Sequence, residues 1–225
     1  MSAADVTPVI LLPGMGADEQ VFARQKRDLP GVVIPEWIPP RPREPLAAYA
    51  ARLARAVDPG RPCWIGGASF GGFVALEMAT HLDVRGCILV GSVRSSRELP
   101  GALRALRPVA RAARVLPFEV LRAVGRMLFA SVRLDAGSDV SVLLDQMSRS
   151  DAAFLRWACR AVIEWDGPAQ ETGVSIHQIH GEVDRILPPS RTRPGRVVPG
   201  AGHALSVTHP DEVTAFLREI LAGAG

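Results

Sequence analysis

Short apolar runs recur along this chain, each stopped by turn residues and most followed by a stretch of helical periodicity. The run at 9–12 ends on Pro13-Gly14, and strand-like runs follow at 32–34, 63–66, 87–90, 174–179 and 196–198. Runs this short do not make helices, and continuous apolar runs suit strands covered on both faces. Strands that alternate with helices build a parallel sheet with crossover helices. The expected fold class is therefore α/β, a mostly parallel central sheet flanked by helices. Helices are expected from Pro45 to Val57, from Phe70 to Leu82 and from Thr208 to about Leu221. The second reads as amphipathic, with Phe73, Leu76, Glu77 and Thr80 spaced to turn one face inward and another outward. A chain of 225 residues, 48% hydrophobic, holds enough apolar surface for one substantial core.

No strand pattern interrupts residues 94–167. Helical patterns run from Leu103 to Val115, Phe118 to Ala130, Val140 to Met147 and Asp151 to Glu164. The chain thus divides into a core, 1–93 and 168–225, and an all-helical insertion, 94–167. Positive charge gathers in that insertion. Residues 94–133 hold nine arginines against Glu98 and Glu119, although the whole chain carries only +3. Arg104, Arg107, Arg111 and Arg114 recur at three- and four-residue steps and form one basic helical face. A solvated face is the ordinary reading of such a stripe. A docking surface for an anionic acyl carrier, such as coenzyme A or a carrier protein, or for an anionic membrane, is the sharper one. Phe118, Met127, Leu128, Phe129, Phe154 and Trp157 either line an acyl pocket or glue the insertion to the core, with glue preferred for most.

Other chemistries find no support in the sequence. The first eight residues carry Asp5 where a leader would be basic, and the apolar run after them is too short for a leader or a membrane span. Cys63, Cys87 and Cys159 are odd in number and widely spaced. Cys63 and Cys87 fall in strand-like runs and read as buried thiols, neither disulfide-bonded nor metal ligands. Gly14-Met15-Gly16 lacks the Lys-Ser/Thr of a phosphate loop. No metal, cofactor, nucleic acid or integral membrane segment is expected, and a cytoplasmic location is the default.

The chemistry-bearing stretch is Gly67-Ala68-Ser69-Phe70-Gly71-Gly72, between a strand and a helix. Glycines two residues either side of the serine let the chain turn so sharply that the hydroxyl is lifted clear of the sheet. The Phe70 N–H then lies at a helix N-terminus, where negative charge is favoured. A nucleophilic serine needs a base, and the base an orienting carboxylate. In a parallel sheet the loops at the C-terminal strand ends form one edge. Asp184, after the fifth strand, and His203, after the sixth, reach the same edge as Ser69. His81, His177, His180 and His209 sit at a helix end, flanking a strand and at a helix start, and are set aside.

With these residues in view, the chain resembles the α/β-hydrolase superfamily over almost its whole length. Besides the Ser69 turn, His180-Gly181-Glu182-Val183-Asp184-Arg185-Ile186-Leu187-Pro188 is similar to the family's acid loop, and Gly200-Ala201-Gly202-His203 to its base loop. The resemblance implies an α/β-hydrolase fold with residues 94–167 as its cap. It also implies Ser69 as nucleophile, Asp184 as acid and His203 as base. The oxyanion hole would be formed by the backbone N–H groups of Met15 and Phe70. Where the family often has His-Gly after the first strand, this chain has Pro13-Gly14; backbone donors do not need the histidine, and Gly16 is the fallback donor. The prolines between Asp184 and His203 leave room for a stub of helix. A serine at this turn, where dehalogenases and epoxide hydrolases of the fold carry an aspartate, points to a small or medium acyl ester or thioester cleaved through an acyl-enzyme. Acyl transfer and a non-catalytic ligand-binding role are the alternatives.

Overall fold

The structure, a computed structural model, describes residues 6–112, 149–168 and 173–223. Six strands, all parallel, form one sheet: β1 (Val9–Leu12), β2 (Val32–Val33), β3 (Cys63–Ala68), β4 (Val84–Val90), β5 (Ile176–Gly181) and β6 (Arg196–Val198), in the order β2-β1-β3-β4-β5-β6. Side chains alternate across a strand, and here both faces are covered. Ile10, Leu12 and Ile65 face a core with α2 (Leu46–Val57) and α3 (Phe70–Met78). Val9, Leu11 and Trp64 face a second core with Phe22 and Leu29, which bracket α1 (Ala23–Asp28), and with the C-terminal helix. This two-sided burial is why the strands read as continuous apolar runs.

The strand order decides where a site can form. From β1 the chain steps outward to β2, then returns to place β3 on the opposite side of β1. Neighbouring crossovers therefore depart to opposite sides, leaving a crevice beyond the C-terminal ends of β1 and β3. Leu12 pairs with Gly67 at that end, so the loop after β1 and the turn after β3 emerge side by side.

Several elements differ from expectation. Every residue of α3 is buried, Glu77 included, so the helix is not amphipathic. It lies under the sheet on one side and under α2 and the helical segment on the other, and a helix enclosed on all sides keeps no polar face. It also ends at Met78, where the Thr80 hydroxyl donates to the Glu77 carbonyl (2.8 Å) and the His81 N–H to Met78 O (2.9 Å). β5 begins two residues late and runs through His180 to Gly181, because Gly181 still pairs with Val198. The last helix, α8 (Pro210–Ala222), opens as expected with His209 at its cap and Pro210 in its first turn, but a short unexpected helix, α7 (Leu205–Thr208), precedes it. A single 3-10 turn, Pro189–Arg191, is the stub between Asp184 and His203.

Within 94–167 the described elements are all helical: a 3-10 turn at Ser96–Glu98, α4 (Gly101–Ala105), α5 (Arg107–Ala112) and α6 (Ala152–Glu164). The expected helix from Leu103 is broken at Leu106, because Pro108 has no N–H to donate to the Arg104 carbonyl. The helices expected over 118–130 and 140–147 lie outside the described residues, as do Phe118, Met127, Leu128 and Phe129. Asp151 caps α6 by accepting from the Ala153 N–H at 2.9 Å. None of the described helices is long and apolar enough to cross a membrane. The three cysteines are buried and free, and burial pushes the thiols up, Cys87 to about 12.

Candidate active site

The turn after β3 is held by contact. Ser69 has φ 49° and ψ −118°, a conformation that side chains rarely adopt. A Cβ on Gly71 would lie 2.2 Å from the Leu12 carbonyl oxygen, and one on Gly67 would lie 2.4 Å from the Gly71 carbonyl carbon. Only glycine permits so close an approach. Three hydrogen bonds pin the serine backbone: its N–H to Val90 O (3.0 Å), and its carbonyl from the Gly72 N–H (2.9 Å) and the Ser92 hydroxyl (2.8 Å).

The fixed hydroxyl meets the other two residues expected at this edge. Ser69 Oγ lies 2.8 Å from His203 Nε2, and His203 Nδ1 lies 2.8 Å from Asp184 Oδ2. Asp184 is buried, and its Oδ1 accepts from the Ile186 and Leu187 N–H groups, each at 2.9 Å. Burial alone would push the Asp184 carboxyl up. The neighbouring His203, the hydrogen bonds from His180 and His203 and the Leu187 N–H outweigh it, and the carboxyl lies well below the ordinary range. The group facing His203 is thus a carboxylate at neutral pH.

The loop after β1 completes the surroundings. The Ala17 N–H donates to Gly14 O at 3.1 Å, closing a four-residue turn with Gly16 at φ 72°, the conformation a type II turn needs at its third residue. A Cβ on Gly14 would lie 4.0 Å from Ser69 Cβ, so this turn rests against the serine. Among the described residues, no acceptor engages the N–H of Met15 or Phe70. Phe70 opens α3, where N–H groups lack intrahelical partners. The Ser150 hydroxyl donates to the Gly16 carbonyl at 2.6 Å and ties this loop to the start of α6.

A cavity of about 430 Å³ opens beside the Gly16 turn, with Trp37, Ile38, Pro39 and Phe154 as its apolar wall and Arg149 and Ser150 on its polar side. Ser69 does not line it; it lies past Gly16, one residue beyond Met15. Trp37 and Phe154 pack on Phe70, with ring centroids 5.6 Å and 6.3 Å away. Trp157 is glue, stacked 4.3 Å from Tyr49 and donating to the Glu44 carbonyl at 2.8 Å.

The remaining sequence candidates scatter. His81 is exposed beyond α3, His177 packs 5.7 Å from the Trp64 ring, and His209 bonds Thr208. Arg107, expected in a docking face, is half-buried and bonded to its own segment: it donates to the carbonyls of Ile163 and Trp165 and pairs with Asp166 at 2.6 Å. Arg104 is exposed, while the Arg111 and Arg114 side chains lie outside the described residues. Four residues of the site's surroundings escaped the sequence reading: His180, Gln178, Ser92 and Arg94. His180 alone left a signal, since it opens the acid loop.

A family model described as "Alpha/beta hydrolase family" matches residues 3–216. No curated protein matches the chain. Among solved structures, a thermophilic esterase from Thermogutta terrifontis is 19% identical, with TM-score 0.69, over 97% of this chain and 90% of that one. The enol-lactonase from Burkholderia xenovorans is 17% identical, with TM-score 0.70, over 97% and 93%. A hydrolase from Oleispira antarctica is 12% identical, with TM-score 0.72, over 96% and 91%. At such identities the likeness is one of fold.

Proposed function

The chain belongs to the alpha/beta hydrolase family, and on that footing we propose that it cleaves a small or medium acyl ester or thioester through an acyl-enzyme at Ser69. The observation that carries the reading is the unbroken line from Ser69 Oγ through His203 to Asp184, with both links at 2.8 Å.

In the proposed reaction His203 Nε2 takes the Ser69 proton as Oγ attacks the acyl carbon. Asp184 holds Nδ1–H, fixing the tautomer and stabilising the imidazolium that forms. The tetrahedral oxyanion lies between the N–H groups of Met15 and Phe70, each such donor worth roughly 3–4 kcal/mol in the transition state. Collapse expels the alcohol or thiol, which takes the proton from His203. Water, deprotonated by the same nitrogen, then attacks the acyl-enzyme and releases the acid, restoring the Ser69 hydroxyl. The cavity beside Gly16 takes one arm of the substrate, and the segment 94–167, whose Arg149, Ser150 and Phe154 line that cavity, serves as the cap. Its volume is in the range of small-molecule sites. Among the structural neighbours are an esterase and an enol-lactonase; a lactone is a cyclic ester and meets the same chemistry.

The test is a chain-length panel of nitrophenyl esters, a lactone and acyl-coenzyme A thioesters, with wild type and Ser69→Ala, alongside labelling by a fluorophosphonate probe. Turnover and labelling that vanish in Ser69→Ala support the reading. Neither turnover nor labelling in wild type would sink it in favour of a binding role.

A further inference from the structure

Behind Asp184 the hydrogen-bond chain continues through side chains that do not touch the substrate. Gln178 and His180 lie two residues apart on one face of β5, both buried. Gln178 Oε1 accepts from Arg94 Nε at 2.8 Å, and Gln178 Nε2 donates to the Ser92 carbonyl at 2.7 Å. A guanidinium can only donate and a carbonyl can only accept, so both contacts fix the amide the same way round. Gln178 Nε2 then faces His180 Nδ1 at 3.5 Å, and Nδ1 meets an N–H. On the other side of the ring, His180 Nε2 meets two acceptors, the Leu187 carbonyl and Asp184 Oδ2, the latter at 3.1 Å. One proton arrangement suits every contact: a neutral imidazole with its hydrogen on Nε2.

We propose that Gln178, oriented by Arg94, is a positioning residue that holds His180 as the neutral Nε2–H tautomer, so that His180 shares Asp184 Oδ2 with His203 as a neutral donor and not as a competing cation. The inference rests on the serine-hydrolase reading above. A cation at His180 would draw on the same carboxylate oxygen and weaken its stabilisation of the His203 imidazolium. The charged and titratable groups around His180 are Asp184 after β5, His203 after β6 and Arg94 after β4, while His177 on β5 packs on Trp64. Gln178→Glu reverses the polarity at Nδ1, because a carboxylate there accepts a proton-bearing nitrogen and invites the second proton. Arg94→Met removes one of the two contacts that fix the amide and leaves the Ser92 carbonyl alone to hold it.

The test has two arms. In histidine-labelled protein at neutral pH, ¹⁵N NMR should show wild-type His180 with Nε2 protonated and Nδ1 bare, and a proton on Nδ1 as well in Gln178→Glu. On a nitrophenyl ester, Gln178→Glu should lower kcat about tenfold at unchanged KM and move the acidic limb of kcat/KM down by about half a pH unit or more. Arg94→Met should shift both in the same direction by less, and it serves if the glutamate variant does not fold. The proposal is overturned if His180 in wild type carries a proton on Nδ1 under those conditions. It is equally overturned if the variants leave its protonation and the acidic limb where wild type has them, even with kcat lowered, since loosening Ser92 alone would do that. Should wild type hydrolyse no ester, the serine-hydrolase reading fails with the kinetic arm. The NMR arm then decides the role of Gln178 by itself: His180 fixed neutral in wild type and not in Gln178→Glu upholds it.

Discussion

A serine at φ 49° is strained, on the order of 1–3 kcal/mol for such a backbone, and its surroundings explain why the strain persists. Val90, Gly72 and Ser92 hold its backbone while His203 receives its hydroxyl. Ser69→Ala keeps those backbone bonds and should fold, with kcat on an accepted ester reduced by about 10⁴-fold or more. Asp184→Asn replaces an acceptor by a group that can donate to His203 Nδ1, which favours the tautomer with the proton on Nε2; kcat should fall by about 10⁴-fold with KM little changed. The sign of the Asp184 shift sets the pH behaviour. Its folded carboxyl lies below the ordinary value, so its contribution to stability is complete above the ordinary carboxylate range and is lost only as pH falls through the lower folded value. An acidic limb in kcat/KM near neutral pH that titration assigned to Asp184 would therefore contradict the arrangement. That Ser69, Asp184 and His203 would meet was legible in the sequence because each sits in its own short local pattern at a strand end. Gln178 and Ser92 were not, because their contact joins residues 86 apart and exists only once β4 and β5 are paired.

At the scale of elements, the β3–α3 connection is set by backbone contact. A Cβ at Gly71 would collide with the Leu12 carbonyl at 2.2 Å and the Pro13 carbonyl at 2.4 Å. Both oxygens belong to the chain leading into the Gly14 turn, so relief means pushing β1 and the Met15 N–H away from Ser69. Gly71→Ala should destabilise by about 3 kcal/mol or more and cut kcat in whatever protein folds. Gly101, at the start of α4, has nothing within 4 Å of a Cβ. Gly101→Ala should therefore be neutral or stabilising by up to about 0.5 kcal/mol. Urea unfolding of the pair separates a collision from a generic response to losing a glycine; equal destabilisation would refute the contact argument. The strand-turn-helix order was readable from the sequence. The burial of α3 on every side was not, since a periodicity count at Phe73, Leu76, Glu77 and Thr80 has no knowledge of the second layer that covers the outer face.

At the scale of the whole molecule, that second layer is the described part of the helical segment, and polar links fasten it. Ser150 holds Gly16, Trp157 Nε1 holds the Glu44 carbonyl, and Trp165 Nε1 donates to Glu77 Oε1 at 2.6 Å. The last link places an acid between the sheet layer and the segment. Burial pushes the Glu77 carboxyl above its ordinary value, against the hydrogen bond from Trp165 and the attraction of His81. A folded value above the unfolded one means that the folded protein binds the extra proton between the two. Stability is then greatest below the ordinary carboxylate range and declines as pH rises through the folded value, so the ionised Glu77 is a liability at neutral pH. Glu77→Gln keeps an acceptor for Trp165 and removes the charge. It should raise the melting temperature at neutral pH, and its advantage should vanish as the pH falls below the ordinary carboxylate range. Glu77→Leu removes the acceptor as well and leaves the buried Trp165 N–H unpaired, so it should destabilise by about 1–3 kcal/mol. Melting curves of the three proteins across pH check the sign: a glutamine variant less stable than wild type at neutral pH would show that the ionised form is favoured by the Trp165 bond more than burial opposes it.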